Sequence, residues 1–510
     1  MSEWEKLSSY HADKKLFLGI DKALQLVKKF YGPKTLHSQA AFFEERGYTV
    51  LSKITFSDPH ENIGVGFAKI MADKIYAKHF DGATVGLILL HAILQESYLA
   101  LERGISIHKL SVSLKHMEKK LLDSLQQHSW PIKDAKKLRA IIFSALHIPI
   151  IADEFAAAFS VTGPEGLISL TCSYQTDMQI TQGLRINAGY ASAYFTSHST
   201  NRVITISCPK IFITDKKIST IHPLLPLLQE AAIEDKHLLI FCEDIHEDVL
   251  ATLIANKLQG LLQVTVISIP NLSTTEQAVA EDIALFTGTH IFSQDFDPHS
   301  LPPHYTILGS CASIEISETQ TTLIRGHHVP EVLALKIRQL EEEIRSTLCP
   351  REKLSLTQRK NRLQSPVTIL STKESNKALY NLAFTIMSSA MTQGYIPGGG
   401  AALFYASLDL GKEENLFGEE EYEAMRILQK ACCAPLEQLA NNADLDSNTV
   451  IAKLSSLATT SLGVSVLSRE IEDLIARGIL DSLSTISSAV SYALDTALLV
   501  LSSKMVICEM

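Results

Sequence analysis

Residues 79–86 read HFDGATVG, which places one carboxylate, two glycines and one hydroxyl between two long apolar runs. The runs at 62–80 and 84–103 carry apolar residues at three- and four-residue steps, so they predict two helices joined by this turn. The start of the second helix offers free N–H groups and a positive dipole end, which favour an anion, and Asp81 could hold a divalent cation beside it. A plain helix cap at Asp81, with Gly82 relieving a tight turn, is the alternative.

A second glycine turn lies at 398–400, where three consecutive glycines precede a predicted helix at 401–408. Such a turn lets the backbone approach a ligand closely, although a flexible corner has the same composition. The lysine of a Walker motif and the G-x-G-x-x-G spacing of a dinucleotide site are both missing.

The order of patterns along the chain predicts a multidomain α/β protein. The first third is helical, as in 13–30, and strand-like runs start near residue 166. Strand and helix then alternate through 237–242, 247–258 and 262–268, which indicates an α/β module with parallel pairing. A helical hairpin follows residue 330, and 377–502 is again mostly helical, so the α/β module is predicted to be inserted between two ends that form one domain.

Composition excludes several classes of function. The 510-residue chain has 46 basic and 56 acidic side chains, a formal charge of −10 and no long Lys/Arg cluster, so nucleic-acid binding is not expected. No signal peptide is evident, and polar residues such as His91 and Glu96 interrupt the apolar runs before the roughly 18 residues of a membrane span. Eight scattered cysteines favour reduced thiols, so we expect a cytoplasmic protein without a membrane partner.

Taken together, short segments along essentially the whole chain resemble the group I chaperonins, the GroEL family. No single motif is decisive, but their order is collinear with that of the family. The segments are VKKFYGPK (27–34), ENIG (61–64), DGAT (81–84), GLRINAGYASAYF (183–195), TDKKIS (214–219), ATL (251–253), GYIPGGGAAL (394–403) and GILD (478–481).

The resemblance implies a chaperonin fold with three domains. A mostly helical equatorial nucleotide and assembly domain would comprise 1–127 and 393–510, and a small intermediate hinge domain 128–181 and 368–392. An α/β apical domain at 182–367 would bind polypeptides. The resemblance also implies homo-oligomeric rings, non-native polypeptides as partners, a co-chaperonin lid, and ATP with Mg²⁺ and K⁺ as cofactors.

Position by position, the resemblance assigns a nucleotide site that has lost part of its chemistry. Asp81 is implied as the magnesium ligand, and Asp481 would lie near the ribose. Ala83 and Val85 flank Thr84 where the family has three hydroxyl side chains, and Phe30 replaces a threonine. The implied nucleotide-binding positions are Gly32, Pro33, Asp81, Gly82, Ala83, Thr84, Val85, Gly399 and Asp481.

Two further departures concern hydrolysis. The family's Lys-Asp-Gly turn is missing between Thr49 and Lys53, and the family's water-orienting aspartate aligns with Leu382. An alkyl side chain accepts neither a proton nor a hydrogen bond, and loss of such a carboxylate slows hydrolysis by roughly 10² or more. We therefore predict ATP binding with impaired hydrolysis and no catalytic residue at this position; as an apolar member of a helix stripe, Leu382 would only pack.

The resemblance also implies an apolar polypeptide-binding surface, because unfolded chains offer no fixed shape and apolar burial is non-directional. Ala255 replaces a larger aliphatic residue and Gln259 a basic one, so lid binding is expected to differ. The implied polypeptide-binding positions are Tyr190, Tyr194, Phe195, Leu225, Leu228, Leu250 and Ile254.

Other functions stay open. One is a fully active ATP-dependent folding chaperonin in which another acid, such as Glu374, replaces the missing aspartate. Another is a structural or regulatory subunit that co-assembles with a standard chaperonin, or an adhesin-like surface protein. ATP hydrolysis and particle size separate these possibilities.

Overall fold

The computed structural model describes thirteen segments of the chain. They are 4–32, 47–163, 167–172, 177–196, 203–272, 276–292, 308–327, 330–347, 349–364, 366–412, 418–457, 459–503 and 505–509. The chain divides into two compact units, of which unit 1 comprises Met1–Ser160 with Ser375–Met510, and unit 2 comprises Val161–Glu374.

Within the described segments, eighteen α-helices alternate with seventeen strands. The helices are α1 Ser9–Val27, α2 Gly47–Lys53, α3 Pro59–His79, α4 Ala83–Glu102, α5 Ile107–Gln127, α6 Ala135–Leu146, α7 Pro149–Thr162, α8 Leu225–Glu234, α9 Glu247–Leu258, α10 Gln277–Thr287, α11 Pro330–Ser346, α12 Pro350–Gln364, α13 Lys377–Gln393, α14 Ala401–Leu410, α15 Glu419–Asn442, α16 Ser447–Leu457, α17 Leu474–Arg477 and α18 Leu483–Ser502. The strands are β1 Trp4–Ser8, β2 Leu167–Cys172, β3 Asp177–Ile186, β4 Ile204–Ser207, β5 Lys210–Ile213, β6 Lys217–Ile218, β7 Leu238–Cys242, β8 Asp244–Ile245, β9 Val264–Ser268, β10 Gly309–Ile316, β11 Thr321–Gly326, β12 Pro366–Thr372, β13 Tyr395–Pro397, β14 Leu462–Ser465, β15 Glu470–Asp473, β16 Leu480–Ser482 and β17 Met505–Glu509.

The predicted multidomain α/β fold and its order of elements are confirmed. Helix α9 has the predicted bounds 247–258, and the hairpin after residue 330 is formed by α11 and α12. Strands β5, β7 and β9 pair in parallel, as the alternation of strand and helix predicted.

Unit 1 is built around α4 and α18, which pack on each other and on α3, and α4 also packs on α15. Their apolar residues join those of α1 and α5 in one core that both chain segments of the unit supply. Antiparallel pairing of β1 with β17 also brings the two chain ends together.

Helices α4 and α18 are long and apolar enough to cross a membrane, so His91 and Glu96 do not interrupt α4 as strongly as the sequence suggested. In each helix 56% of the most apolar window is buried inside the protein. Core helices of folded domains meet the same criteria of length and composition, and these two occupy the core of unit 1.

Unit 2 contains a nine-stranded mixed sheet in the order β2-β12-β3-β11-β10-β5-β7-β9, with β4 also paired to β10. Alternate residues of β7 enter different cores: Leu239 and Phe241 pack in a core with α10 to α12, whereas Leu238 and Ile240 pack with α8 and α9. Strand β7 is therefore buried on both faces, which accounts for its continuous apolar sequence.

The three-domain boundaries stay a prediction. The segments expected to form the intermediate domain, 128–181 and 368–392, are divided between the two units, with 161–181 and 368–374 in unit 2.

Candidate functional site

The turn between α3 and α4 has the geometry of a helix start built on glycine. Phe80 and Gly82 both adopt left-handed backbone conformations, with φ of 57° and 84°, and Gly82 caps α4. A Cβ at Gly82 would lie 2.7 Å from Thr485 Cγ2 in α18, so glycine is required by both backbone and packing. The Asp81 carboxylate accepts a 2.7 Å hydrogen bond from the Gly82 N–H.

The second glycine turn, at 398–400, follows a short two-stranded ladder of β13 and β16. Ile396 of β13 pairs with Asp481 of β16, and the Gly398 N–H donates to the Ile479 carbonyl at 3.0 Å. Gly400 then caps α14 with φ of 78°. The short β13–β16 ladder therefore places Asp481 next to a glycine turn that is about eighty positions away in sequence.

The side chain of Leu439 in α15 lies against both Gly32 and Gly399, two of the predicted nucleotide-binding positions. A Cβ at Gly32 would lie 2.7 Å from Leu439 Cδ1, and one at Gly399 would lie 2.9 Å from Leu439 Cδ2. Both glycines have positive φ, 98° and 63°. Pro33 lies outside the described residues.

These elements surround one crevice in unit 1. Its lining is mostly apolar, with one carboxylate, and comprises Tyr31, Val85, Ile396, Pro397, Gly400, Ala402, Leu403, Asp481 and Ile486. The space between these side chains is closed to water-sized molecules. Predicted positions Val85 and Asp481 are therefore brought together in the lining of this crevice.

The carboxylates of Asp481 and Asp81 interact at this crevice. Burial, with the nearby Asp81 carboxylate, raises the pKa of Asp481 to about 7. Burial also raises the pKa of the Tyr31 hydroxyl, and the carboxylates of Asp481 and Asp81 add to this effect.

The hydroxyl that remains in the DGAT turn faces a neighbouring helix. A Cβ at Gly47 would clash with Thr84 Oγ1, so this hydroxyl lies against the start of α2. Ala83 and Val85 are buried and apolar. Where the family resemblance located a missing Lys-Asp-Gly turn, residues 47–53 form α2.

Leu382 lies in α13 and is partly buried. Helix α13 packs on α6 and also contacts α18 and β16. Glu374, the alternative acid, precedes α13 in a short 3-10 turn and is exposed. Eight positions separate Glu374 from Leu382 in sequence, and its replacement of the missing aspartate stays a prediction.

The apolar positions predicted on unit 2 divide by exposure. Tyr194 is 70% exposed and Leu225 is 37% exposed. Tyr190, Leu250 and Ile254 are partly buried and pack against the core formed with α8 and α9.

Two positions need correction. Phe195 and Leu228 are only 1% and 4% exposed, so they cannot offer apolar surface to a client. The physical reason is local: Phe195 ends the 3-10 turn Ala193–Phe195 and points inward, while Leu228 lies on the inner face of α8. Both side chains pack in the core formed with α8 and α9.

Other apolar residues of unit 2 are highly exposed but were not predicted from the sequence. Leu258, Leu261 and Ile233 are 70%, 60% and 84% exposed on the same unit. Leu258 follows Ile254 by four positions, a helical spacing that could have identified it. Tyr31 and Leu439 had no such signal, because their roles depend on packing between distant segments.

Among the described residues, no three or more His, Cys, Asp and Glu side chains group as a metal site.

Comparisons with known proteins agree with this fold. The TCP-1/cpn60 chaperonin family profile matches residues 34–348 and 368–510. Chaperonin GroEL 3 of Protochlamydia amoebophila (strain UWE25) is 28% identical over 510 residues, which cover 97% of this chain and 95% of that protein.

Solved structures show the same architecture. The chaperonin gp146 from the bacteriophage EL 2 (Pseudomonas aeruginosa), crystallised in the presence of ATP-BeFx, aligns with a TM-score of 0.59 at 15% identity over 99% of both chains. A second crystal form of it aligns with a TM-score of 0.54 at the same identity and coverage. Because the profile match spans most of the sequence, the chain belongs to the TCP-1/cpn60 chaperonin family, whose members are ATP-dependent protein-folding chaperones.

Proposed function

We propose that this protein binds non-native polypeptides on unit 2 and assists their folding, and that it retains nucleotide binding with impaired ATP hydrolysis. The observation that carries the proposal is the set of exposed apolar side chains on unit 2, Tyr194, Leu225, Leu258 and Leu261. Large exposed apolar side chains on a folded unit mark an interaction site, and apolar burial accommodates clients without a fixed shape.

Two features of unit 1 support the proposal of nucleotide and cation binding. Burial, together with the nearby Asp81 carboxylate, raises the pKa of Asp481 to about 7, and a divalent cation there would favour the ionised form of both carboxylates. Glycine-capped starts of α4 and α14 offer backbone N–H groups to phosphate.

We propose Gly32, Pro33, Asp81, Gly82, Ala83, Thr84, Val85, Gly399 and Asp481 as the nucleotide-binding positions, with Asp81 as the Mg²⁺ ligand. ATP and Mg²⁺ are proposed from family membership together with this arrangement. K⁺ is proposed from the family resemblance alone.

Impaired hydrolysis follows from the alkyl side chain of Leu382 in α13. The alkyl side chain at this position cannot orient the attacking water, and loss of a water-orienting carboxylate slows the step by roughly 10² or more. The residues of unit 1 would still bind and orient the phosphates.

The test compares Leu382→Asp with the matched control Leu382→Asn in one ATP hydrolysis assay. We expect the wild type and Leu382→Asn to turn over near background, and Leu382→Asp to gain at least about tenfold. Equilibrium dialysis with ATP and Mg²⁺ measures binding separately. A wild type that hydrolyses ATP as fast as a standard chaperonin assayed beside it would contradict impaired hydrolysis and favour the fully active alternative.

Polypeptide binding is tested with a reduced, alkylated polypeptide that cannot fold. Tyr194→Ala and Leu258→Ser should each weaken binding about tenfold, because each removes an apolar contact of roughly 1.5 kcal/mol or more. Leu467→Ser, which changes a 76% exposed leucine of unit 1, is the control and should have no effect. Equal binding by all variants would refute the assignment of this surface.

Family membership also supports ring assembly in the cytoplasm, with a co-chaperonin lid as a further proposed partner. The second candidate is a subunit that co-assembles with a standard chaperonin. Sedimentation of the protein alone and mixed with a standard chaperonin separates the two: a ring formed alone supports self-assembly, and a ring formed only in the mixture supports co-assembly.

A further inference from the structure

The turn that carries Tyr194 is held by a lysine from another element. The 3-10 turn Ala193–Phe195 exposes Tyr194 and buries Phe195. Lys257, in the last turn of α9, donates from Nζ to the Phe195 carbonyl at 2.9 Å and to Thr265 Oγ1 at 3.3 Å. The same ammonium lies 5.1 Å from the centre of the Phe195 ring.

The direction of these hydrogen bonds is determined by chemistry. An ammonium group only donates, so Thr265 Oγ1 is an acceptor toward Lys257. The Thr265 hydroxyl proton is then available to His237 Nε2, which lies 2.9 Å away. An unprotonated His237 Nε2 can accept this hydrogen bond, and burial together with the Lys257 charge lowers the pKa of His237 to about 4.

Lys257 therefore joins three elements at one point: the turn at 193–195, the end of α9, and strand β9. Before Tyr194, the Ala191 N–H donates to the Val266 carbonyl of β9 at 2.8 Å. The backbone on both sides of Tyr194 is thus attached to the same part of the sheet. A carbonyl at the end of a helical turn lacks a partner within the turn, and Lys257 supplies one.

We propose that Lys257 is a positioning residue that holds Tyr194 in one exposed orientation for contact with non-native polypeptides. This inference rests on the proposed polypeptide-binding function. A large side chain presented on a fixed backbone loses little conformational entropy on binding, so fixing it strengthens the contact without adding one.

The experiment uses the full-length protein and the variants Lys257→Met and Lys257→Arg. Methionine keeps the apolar stem but cannot donate, whereas arginine keeps the charge and the donors. Lys236→Met, which removes an exposed lysine paired with Glu234 at 2.5 Å, is the control. Hydrogen exchange at residues 193–196 reports on the turn, and the reduced, alkylated polypeptide reports on binding.

We expect Lys257→Met to speed exchange at 193–196 and to weaken binding, each by about tenfold, because a hydrogen bond to a charged group is lost. Lys257→Arg should retain most of both properties, and Lys236→Met should match the wild type. The double variant Lys257→Met/Tyr194→Ala should bind no more weakly than Tyr194→Ala, since Lys257 acts through Tyr194.

The outcomes distinguish this inference from the proposed function. If the wild type does not bind the polypeptide, the proposed function and this role both fail. If the wild type binds and Tyr194→Ala weakens binding, while Lys257→Met has no effect or adds fully to Tyr194→Ala, only the positioning role is overturned. Should Lys257→Met fail to fold, Thr265→Val removes one of the two acceptors, and unchanged exchange at 193–196 would overturn the role.

Discussion

At the scale of single residues, the pKa of Asp481 reflects the burial and the neighbouring charge in its crevice. Burial and the nearby Asp81 carboxylate raise the pKa of Asp481 to about 7, whereas an aspartate in the unfolded chain titrates near its ordinary pKa of 3.8. The folded protein therefore holds this proton over a pH range in which the unfolded chain has lost it. Stability contributed by the protonated form is present at low pH and lost as the pH rises from about 4 to about 7.

Asp481→Asn should stabilise the protein at pH 8 and change little at pH 4, because asparagine resembles the protonated side chain. The expected gain in the free energy of unfolding at pH 8 is on the order of 3 kcal/mol. Urea unfolding of both proteins between pH 4 and pH 8 measures it. Asp123→Asn, which changes an exposed aspartate of α5, is the control.

A gain at pH 8 that persists unchanged at pH 4 would show that packing rather than charge explains the effect of Asp481→Asn. A loss at every pH would contradict the assigned electrostatics.

At the scale of elements, helices α1 and α3 approach each other closely at two glycines, one in each helix. A Cβ at Gly19 would lie 2.2 Å from the Glu61 carbonyl oxygen, and a Cβ at Gly64 would lie 2.1 Å from the Leu16 carbonyl oxygen. Backbone atoms cannot move aside as a flexible side chain can. The close approach of the two helices therefore depends on the absence of a Cβ at both positions.

Gly64→Ala should destabilise the protein by more than about 2 kcal/mol, because separating the helices opens the core of unit 1. Gly66→Ala is a matched control in the same helix, since no atom lies within 4 Å of its Cβ position. That control should instead stabilise by about 0.5–1 kcal/mol through helix propensity. Chemical denaturation compares them, and equal effects of the two changes would refute the close crossing.

Helix α12 is joined to α10 by a buried ion pair. Asp282 is fully buried, and Arg359 donates to it from Nε and to Glu281 from Nη2, both at 2.8 Å. Burial raises the pKa of Asp282 to about 6 despite the two arginines near it. The pair therefore stabilises the helical hairpin only while both partners are present.

Arg359→Met should cost about 3–5 kcal/mol, because it leaves a buried carboxylate without its main partner. The double variant Asp282→Asn/Arg359→Met should cost less, since the uncompensated charge is gone. Lys353→Met, an exposed position of the same helix, should be near neutral. Thermal unfolding at pH 8 measures all three, and a double variant less stable than Arg359→Met would contradict the explanation.

At the scale of the whole molecule, the two units differ in how the chain builds them. Unit 2 is one continuous segment, Val161–Glu374, that contains the nine-stranded sheet and both of its cores. Unit 1 needs both chain ends, because its core takes residues from before position 160 and after position 375. Continuity in sequence predicts which unit can fold alone.

A fragment of residues 161–374 should fold cooperatively by itself, whereas a fragment of residues 1–160 should not, because α14, α15 and α18 are missing from its core. Near-UV circular dichroism and a cooperative urea transition are the measurements. A cooperative 1–160 fragment, or a 161–374 fragment without fixed tertiary structure, would contradict this view of the units.

The elements themselves could be predicted from local pattern. The bounds of α9, the parallel strands of unit 2 and the glycine turn at Gly82 follow from periodicity and backbone preference, which are properties of neighbouring residues. Collinear short motifs further identified the family. The amino-acid sequence by itself therefore determined the elements, their order and the chaperonin fold.

Exposure and charge could not be predicted in the same way. Tyr194 and Phe195 are adjacent aromatic residues, yet Tyr194 is 70% exposed and Phe195 is 1% exposed. The difference arises because Lys257 and the sheet hold the turn in one orientation, with Tyr194 outward and Phe195 in the core. Asp81 and Asp481 interact across four hundred positions of sequence. Only the tertiary structure decided these features, since burial and electrostatic coupling depend on which distant segments pack together.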